Sequence, residues 1–172
     1  MITVGVIGTG YIGPIHLEAL RRLEGIRIKA VCDVNLALAR QTARKYDIPH
    51  AFDSYEGILN DDEIDVIHNC TPNKYHYPIN KLALERGKHV LSEKPLAMNL
   101  AEAAELVELA DKKGAVNGIN FCYRYYPVVQ EMAVRAKRGD LGTVRMVSGS
   151  YYQDWLSRPT DYSWRLERSE SG

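Results

Sequence analysis

Only three cysteines occur, Cys32, Cys70 and Cys122, widely spaced, with no C-x-x-C pair and no histidine at metal-ligand spacing. A disulfide framework and a metal site are both disfavoured, and reduced thiols in a cytoplasmic protein are expected. Charge of one sign is also missing, since 22 Lys plus Arg balance 22 Asp plus Glu. A balanced chain has no field to gather DNA, an anionic membrane or a polyanionic substrate, so no nucleic-acid partner is expected. There is no run of about 20 apolar residues, and no basic region followed by a cleavable apolar core. A soluble protein with no membrane partner is the expectation. Repeats and low-complexity tracts are absent too.

What is present is a regular alternation. Ile2–Ile7 is a short apolar run ended by glycines, and Ile12, Ile15, Ala19, Leu20 and Leu23 follow at helical spacing. Ile26–Cys32 repeats the strand signal before a helix that carries Leu36, Ala39, Ala43 and Tyr46 behind an Asn35 cap. Ile64–Cys70 and Lys88–Leu91 are further strands, separated by a helix over about 74–86 that Gly87 stops. Asn99 with Glu102 predicts a capped helix striped by Leu100, Ala103, Val107 and Ala110, and Ala115–Ile119 closes the series as a sixth strand. The pattern predicts a doubly wound, mostly parallel α/β sheet covered on both faces, the Rossmann architecture.

At 172 residues the chain has room for one domain and the start of another. The boundary is placed at residue 122, with 1–122 as a dinucleotide-binding domain and 123–172 opening an α+β domain that the chain does not complete. That opening contains an aromatic stretch from Tyr123 to Pro127, a helix with Val128, Val129 and Met132, and a strand over about Thr143–Tyr152.

Gly8, Gly10 and Gly13 spell G-x-G-x-x-G between the first strand and the first helix. That context gives a tight turn, close approach of a pyrophosphate, and a helix N-terminus facing the anion. Asp33 stands twenty residues after Gly13, where a carboxylate can accept the hydroxyls of an adenine ribose and repel a 2'-phosphate. NAD is expected, with NADP disfavoured. Thr71-Pro72-Asn73, Glu93-Lys94-Pro95 and Asn120 to Arg124 also follow strand ends, the side of an open α/β sheet where ligands bind. Lys94 precedes a proline that biases its backbone and so directs its ammonium. Asn73 is expected first as a helix cap and also as a ligand contact, and His76 lies one turn further on. His16 is expected to pack near the glycine turn, while His50, His68 and His89 have no evident partner. The Lys94–Pro95 bond is a candidate cis peptide.

Through VGVIGTGYIG at 4–13, CDVN at 32–35, TPNKYH at 71–76 and GKHVLSEKP at 87–95, the chain resembles the glucose-fructose oxidoreductase, inositol dehydrogenase and MocA-like family. The resemblance implies hydride transfer between a nicotinamide cofactor and a hydroxyl-bearing carbon of a sugar, cyclitol or related polyol, with Lys94 as the catalytic residue on the reacting oxygen. It implies a cofactor set of Gly8, Gly10, Tyr11, Ile12, Gly13, Asp33, Thr71, Pro72, Asn73, His76 and Glu93, with no metal. Family members add an Asp and a His on a helix of the second domain. The sequence reaches Gly172 without such a D-x-x-x-H segment, so the chain alone is expected to bind dinucleotide without turnover. The full-length protein is expected to be a homo-oligomer. Two other readings remain open, an NAD-using glycosidase or lyase and a non-catalytic nucleotide-sensing module.

Overall fold

The computed structural model describes residues 1–171, which form two compact units, Met1–Asn120 with the short helix Arg168–Ser171, and Phe121–Glu167. The first unit is built on six strands, β1 (Ile2–Ile7), β2 (Ile26–Cys32), β3 (His50–Phe52), β4 (Val66–Asn69), β5 (His89–Ser92) and β6 (Asn117–Ile119). All pair in parallel in the order β3-β2-β1-β4-β5-β6. That is the doubly wound order, with its reversal between β1 and β4.

Parallel strands that run through the middle of a sheet are apolar on both faces, and β1 is buried from Thr3 to Ile7. On one face Val4, Val6 and Val31 pack against Leu17 and Leu20 of α1 (Gly13–Leu20) and Ala43 and Tyr46 of α2 (Leu36–Tyr46). On the other, Ile7, Ala30, Ile67 and Val90 meet α3 (Glu56–Leu59), α4 (His76–Glu85) and α5 (Leu100–Lys113) through Ile58, Ile79, Ala83 and Leu106. The alternation along β1 thus feeds two separate cores.

Local signals set most element ends. Asn35 Oδ1 accepts from the N–H groups of Ala37 and Leu38 at the start of α2. Asn99 Oδ1 accepts from Glu102 N, and Glu102 returns its carboxylate to Met98 N, one residue earlier than a standard capping box. The helical phase of α1 differs from the apolar stripe in the sequence. Its buried face is Gly13, His16, Leu17 and Leu20, and Ile15 and Leu23 are exposed. Likewise α5 buries Leu106 and Ala110 and leaves Leu100 and Val107 outside. The three-residue β3 and four-residue α3 carry no period long enough to read.

The second unit contains α6 (Pro127–Arg138), in which no residue is buried. The expected strand over 143–152 does not form. Its residues are exposed and no neighbouring strand supplies the partners that extended backbone requires. The short helix Arg168–Ser171, α7, returns to the first unit. None of the helices among the described residues is long and apolar enough to cross a membrane.

Leu17 is fully buried between β1, β2 and α2. Leu17→Ala should therefore cost about 2–5 kcal/mol of unfolding free energy with an unchanged denaturant slope. A loss below about 1 kcal/mol in urea titration would mean that this face of the sheet is not the tightly packed core described.

Candidate functional site

The register aligns the last residues of the strands in one row. Cα pairing runs Phe52–Cys32–Ile7–Asn69–Ser92–Ile119 across the sheet. The next row is held by backbone bonds, with Gly8 N donating to Cys32 O, Cys70 N to Ile7 O, Glu93 N to Asn69 O and Asn120 N to Ser92 O. Gly8, Asp33, Thr71, Glu93, Lys94 and Asn120 therefore emerge from a single edge.

At the reversal of strand order lies the glycine turn. Gly8 has φ +93°, and a Cβ there would stand 2.6 Å from Cys70 O. A Cβ on Gly13 would stand 2.2 Å from Gly8 O. Both glycines are thus required by the turn's own packing. Gly10 is different, because a Cβ built on it meets nothing within 4 Å. The protein does not use that space, and it opens beside Tyr11, which is almost wholly exposed, and half-buried Ile12. Ile12 begins α1 without a side-chain cap, Pro14 lies in the first turn, and no acid lies there. The open surface at Gly10 and the positive end of a helix that has no side-chain cap fit a bound pyrophosphate.

Asp33 follows β2 and is tied to this turn. Its Oδ2 accepts from Thr9 N at 2.9 Å and Thr9 Oγ1 at 3.0 Å, and its Oδ1 accepts from Asn35 N at 3.0 Å. The carboxylate is therefore not the helix cap; Asn35 is.

Beyond the reversal, Pro72 starts a single 3-10 turn, Asn73–Tyr75, that runs into α4. Asn73 does not cap it, contrary to one of the two roles expected. Its Nδ2 donates to Ser171 O instead, and the adjacent Lys74 pairs with Glu170 at 2.7 Å. His76 is buried, with Nδ1 facing Pro95 O and Nε2 facing Thr71 O, so it packs the loop after β4 against the loop after β5. Thr71 Oγ1 donates to Asn69 Oδ1, which fixes the start of that loop. The Lys94–Pro95 bond is cis, as expected. Lys94 itself is exposed, and its ammonium has no protein partner among the described residues.

Behind the edge lie two layers of buried polar side chains that the sequence reading did not assemble. On the α1 side, His16 Nε2 lies 3.2 Å from Glu93 Oε1, Asn120 Nδ2 donates to the same oxygen, and His16 Nδ1 lies 3.0 Å from His68 Nδ1. His68 thus has a partner after all. On the α4 side, Asn69 Nδ2 donates to Asn80 Oδ1, and Asn80 Nδ2 to Ser92 Oγ. The signal was there in Asn69 and Ser92, polar residues placed at buried ends of apolar strands. No buried side-chain nitrogen or oxygen lacks a partner among the described residues.

Electrostatics follow from this burial. Desolvation, aided by the neighbouring His16, pushes His68 down to about 4. Burial works to raise Glu93, but the hydrogen bonds from His16, Asn120 and Lys94 N outweigh it and hold the carboxyl below its usual range. Burial pushes the Cys32 thiol up to about 12 and raises Cys70 as well, so neither is a ready nucleophile. No group of three or more His, Cys, Asp or Glu that could hold a metal is present among the described residues.

Comparison with known proteins identifies the family of this fold. Residues 2–121 match the model of an oxidoreductase family with an NAD-binding Rossmann fold. A levoglucosan dehydrogenase of Pseudarthrobacter phenanthrenivorans is 30% identical across 99% of this chain and 46% of its own length. A D-glucoside 3-dehydrogenase of Escherichia coli is 32% identical across 83% of this chain and 41% of its own. A levoglucosan dehydrogenase structure in complex with NADH and levoglucosan superposes with a TM-score of 0.91 at 30% identity, covering 99% of this chain and 48% of that one. The chain spans a little under half the length of these relatives.

The depressed His68 gives a pH signature. Its folded value near 4 lies below the ordinary 6.5, so the unfolded state holds more protons between those limits. The stabilisation is complete above pH 6.5 and is lost as pH falls toward 4, on the order of 3 kcal/mol in all. Glu93, also depressed, extends the loss in the same direction below its ordinary 4.5. Urea unfolding of His68→Gln across pH 4–7 should show a shallower slope than the parent, and equal slopes would refute the assignment.

Proposed function

Since the chain belongs to the glucose-fructose oxidoreductase, inositol dehydrogenase and MocA-like family through its NAD-binding Rossmann domain, we propose that it binds NAD along the strand-end edge and serves hydride transfer to or from a hydroxyl-bearing carbon of a sugar, cyclitol or related polyol. The observation that carries this reading is the glycine turn at the reversal of strand order, on the same strand-end edge as Asp33 and Lys94. Bound NAD supplies the ring that takes up or returns the hydride.

The chain's own residues do the rest. The positive N-terminal end of α1 favours the pyrophosphate, with Gly8, Gly10, Tyr11, Ile12 and Gly13 forming the turn around it. Asp33 accepts from the adenine ribose and repels a 2'-phosphate. Thr71, Pro72 and Asn73 line the far end, and His76 and Glu93 position that end from behind. Lys94 donates to the reacting oxygen and stabilises the negative charge that develops there, an effect largest where water is excluded. Its exposed ammonium, unclaimed by other side chains, supports that role. A polyol substrate agrees with the sugars named for the similar dehydrogenases. Residues 1–122 form the cofactor domain in this reading, and residues from 123 onward belong to the substrate side and to a homo-oligomer contact.

Titration by NADH fluorescence tests the reading. The chain should bind NADH more tightly than NADPH, and Asp33→Ala should narrow the gap by weakening the first and relieving the second. Lys94→Ala should leave NADH affinity little changed. NADPH binding as tight as NADH in the parent chain, or loss of NADH binding with Lys94→Ala, would overturn the assignment of these two residues.

A further inference from the structure

Thr9, the residue between the first two glycines, is only 2% exposed and directs both of its donors to one atom. Its N–H and its Oγ1 reach Asp33 Oδ2 at 2.9 and 3.0 Å. With Asn35 N on Oδ1, three of the roughly four lone-pair positions of the carboxylate are filled. The remaining capacity lies on Oδ1. A carboxylate held this way presents one edge outward and cannot turn aside without breaking bonds to the glycine turn.

We infer that Thr9 is a positioning residue that sets the preference for NAD over NADP by locking the Asp33 carboxylate against the glycine turn. The inference rests on the dinucleotide reading above and extends it. Like-charge repulsion excludes a 2'-phosphate only while the carboxylate stays in place, because a half-buried carboxylate freed to rotate swings into water and relieves the contact. The two backbone bonds, from Thr9 N to Oδ2 and from Asn35 N to Oδ1, hold one oxygen each. The Thr9 hydroxyl adds a second bond on Oδ2, so turning the carboxylate aside breaks three hydrogen bonds in place of two. The two Thr9 bonds make Asp33 and the turn one body, so the ribose and pyrophosphate ends of the ligand meet a fixed spacing. Oδ1 then accepts a single ribose hydroxyl rather than the pair that a free carboxylate could take.

The test compares NADH and NADPH dissociation constants by fluorescence for the parent chain, Thr9→Val and Thr9→Ser, with melting temperatures recorded alongside. Valine keeps the shape and removes the hydroxyl; serine keeps the hydroxyl. Thr9→Ser should preserve the parent ratio, and Thr9→Val should lower it about fivefold or more, as loss of one charge-assisted hydrogen bond implies. In an Asp33→Ala background Thr9→Val should change the ratio no further, a coupling that a general loosening of the turn would not produce. Should the valine variant not fold, Thr9→Ala is read in its place against Thr9→Ser. A folded Thr9→Val with the parent ratio, or an equal shift with Asp33 already removed, overturns the inference while leaving the NAD reading intact. A parent chain that binds neither dinucleotide, or binds both equally, overturns the reading of the crevice and the inference with it.

Discussion

Six strands running the same way leave all their carboxyl ends on one edge, and everything at this site depends on that parallel register. The row from Phe52 through Ile7 to Ile119 is spaced by hydrogen bonds between neighbouring strands, so each residue after a strand end has a position fixed by backbone pairing and not by its own side chain. The reversal between β1 and β4 adds the second requirement. Helices leave in opposite directions there, and the gap is where the glycine turn sits.

An edge made only of loops would be soft. Here it is backed on both faces by polar side chains that have been withdrawn from water and matched to one another. His16, His68, Glu93 and Asn120 join the first helix to the last three strands. Asn69, Asn80 and Ser92 join α4 to β4 and β5 on the opposite face. Such networks are intolerant of single losses, because each deleted partner leaves a buried group unpaired at the full desolvation cost. His76 sits between two loops, with a ring nitrogen against a carbonyl of each. Rigidity beneath a site preserves the geometry that charge stabilisation needs.

Much of this was legible from local spacing. Gly8 to Gly13, Asp33 at its distance, the Asn35 cap and the order of strands and helices are all short-range facts of the chain. The polar layers were not, because residues 16, 68, 93 and 120 meet only once β4 is placed beside β1, and that crossover leaves no local trace. His16 was also hidden by the helix pattern. An apolar stripe through Ile12, Ile15 and Leu23 looked inward, yet the buried face is turned to admit a histidine with a partner. The segment over 143–152 failed for a different reason. Its composition favours extended backbone, but a strand exists only beside another, and none adjoins it.

The three glycines of the turn look alike in the sequence but answer to different masters. Gly8 and Gly13 press on one another and on the start of β4's loop, whereas Gly10 faces open space. Replacing either of the first two disturbs the chain's own architecture, so a genetic screen scored on cellular abundance would register them and pass over the third. Scored on ligand occupancy, the same library would register all three. The difference between those two maps would separate, residue by residue, what the turn owes to folding from what it owes to its ligand.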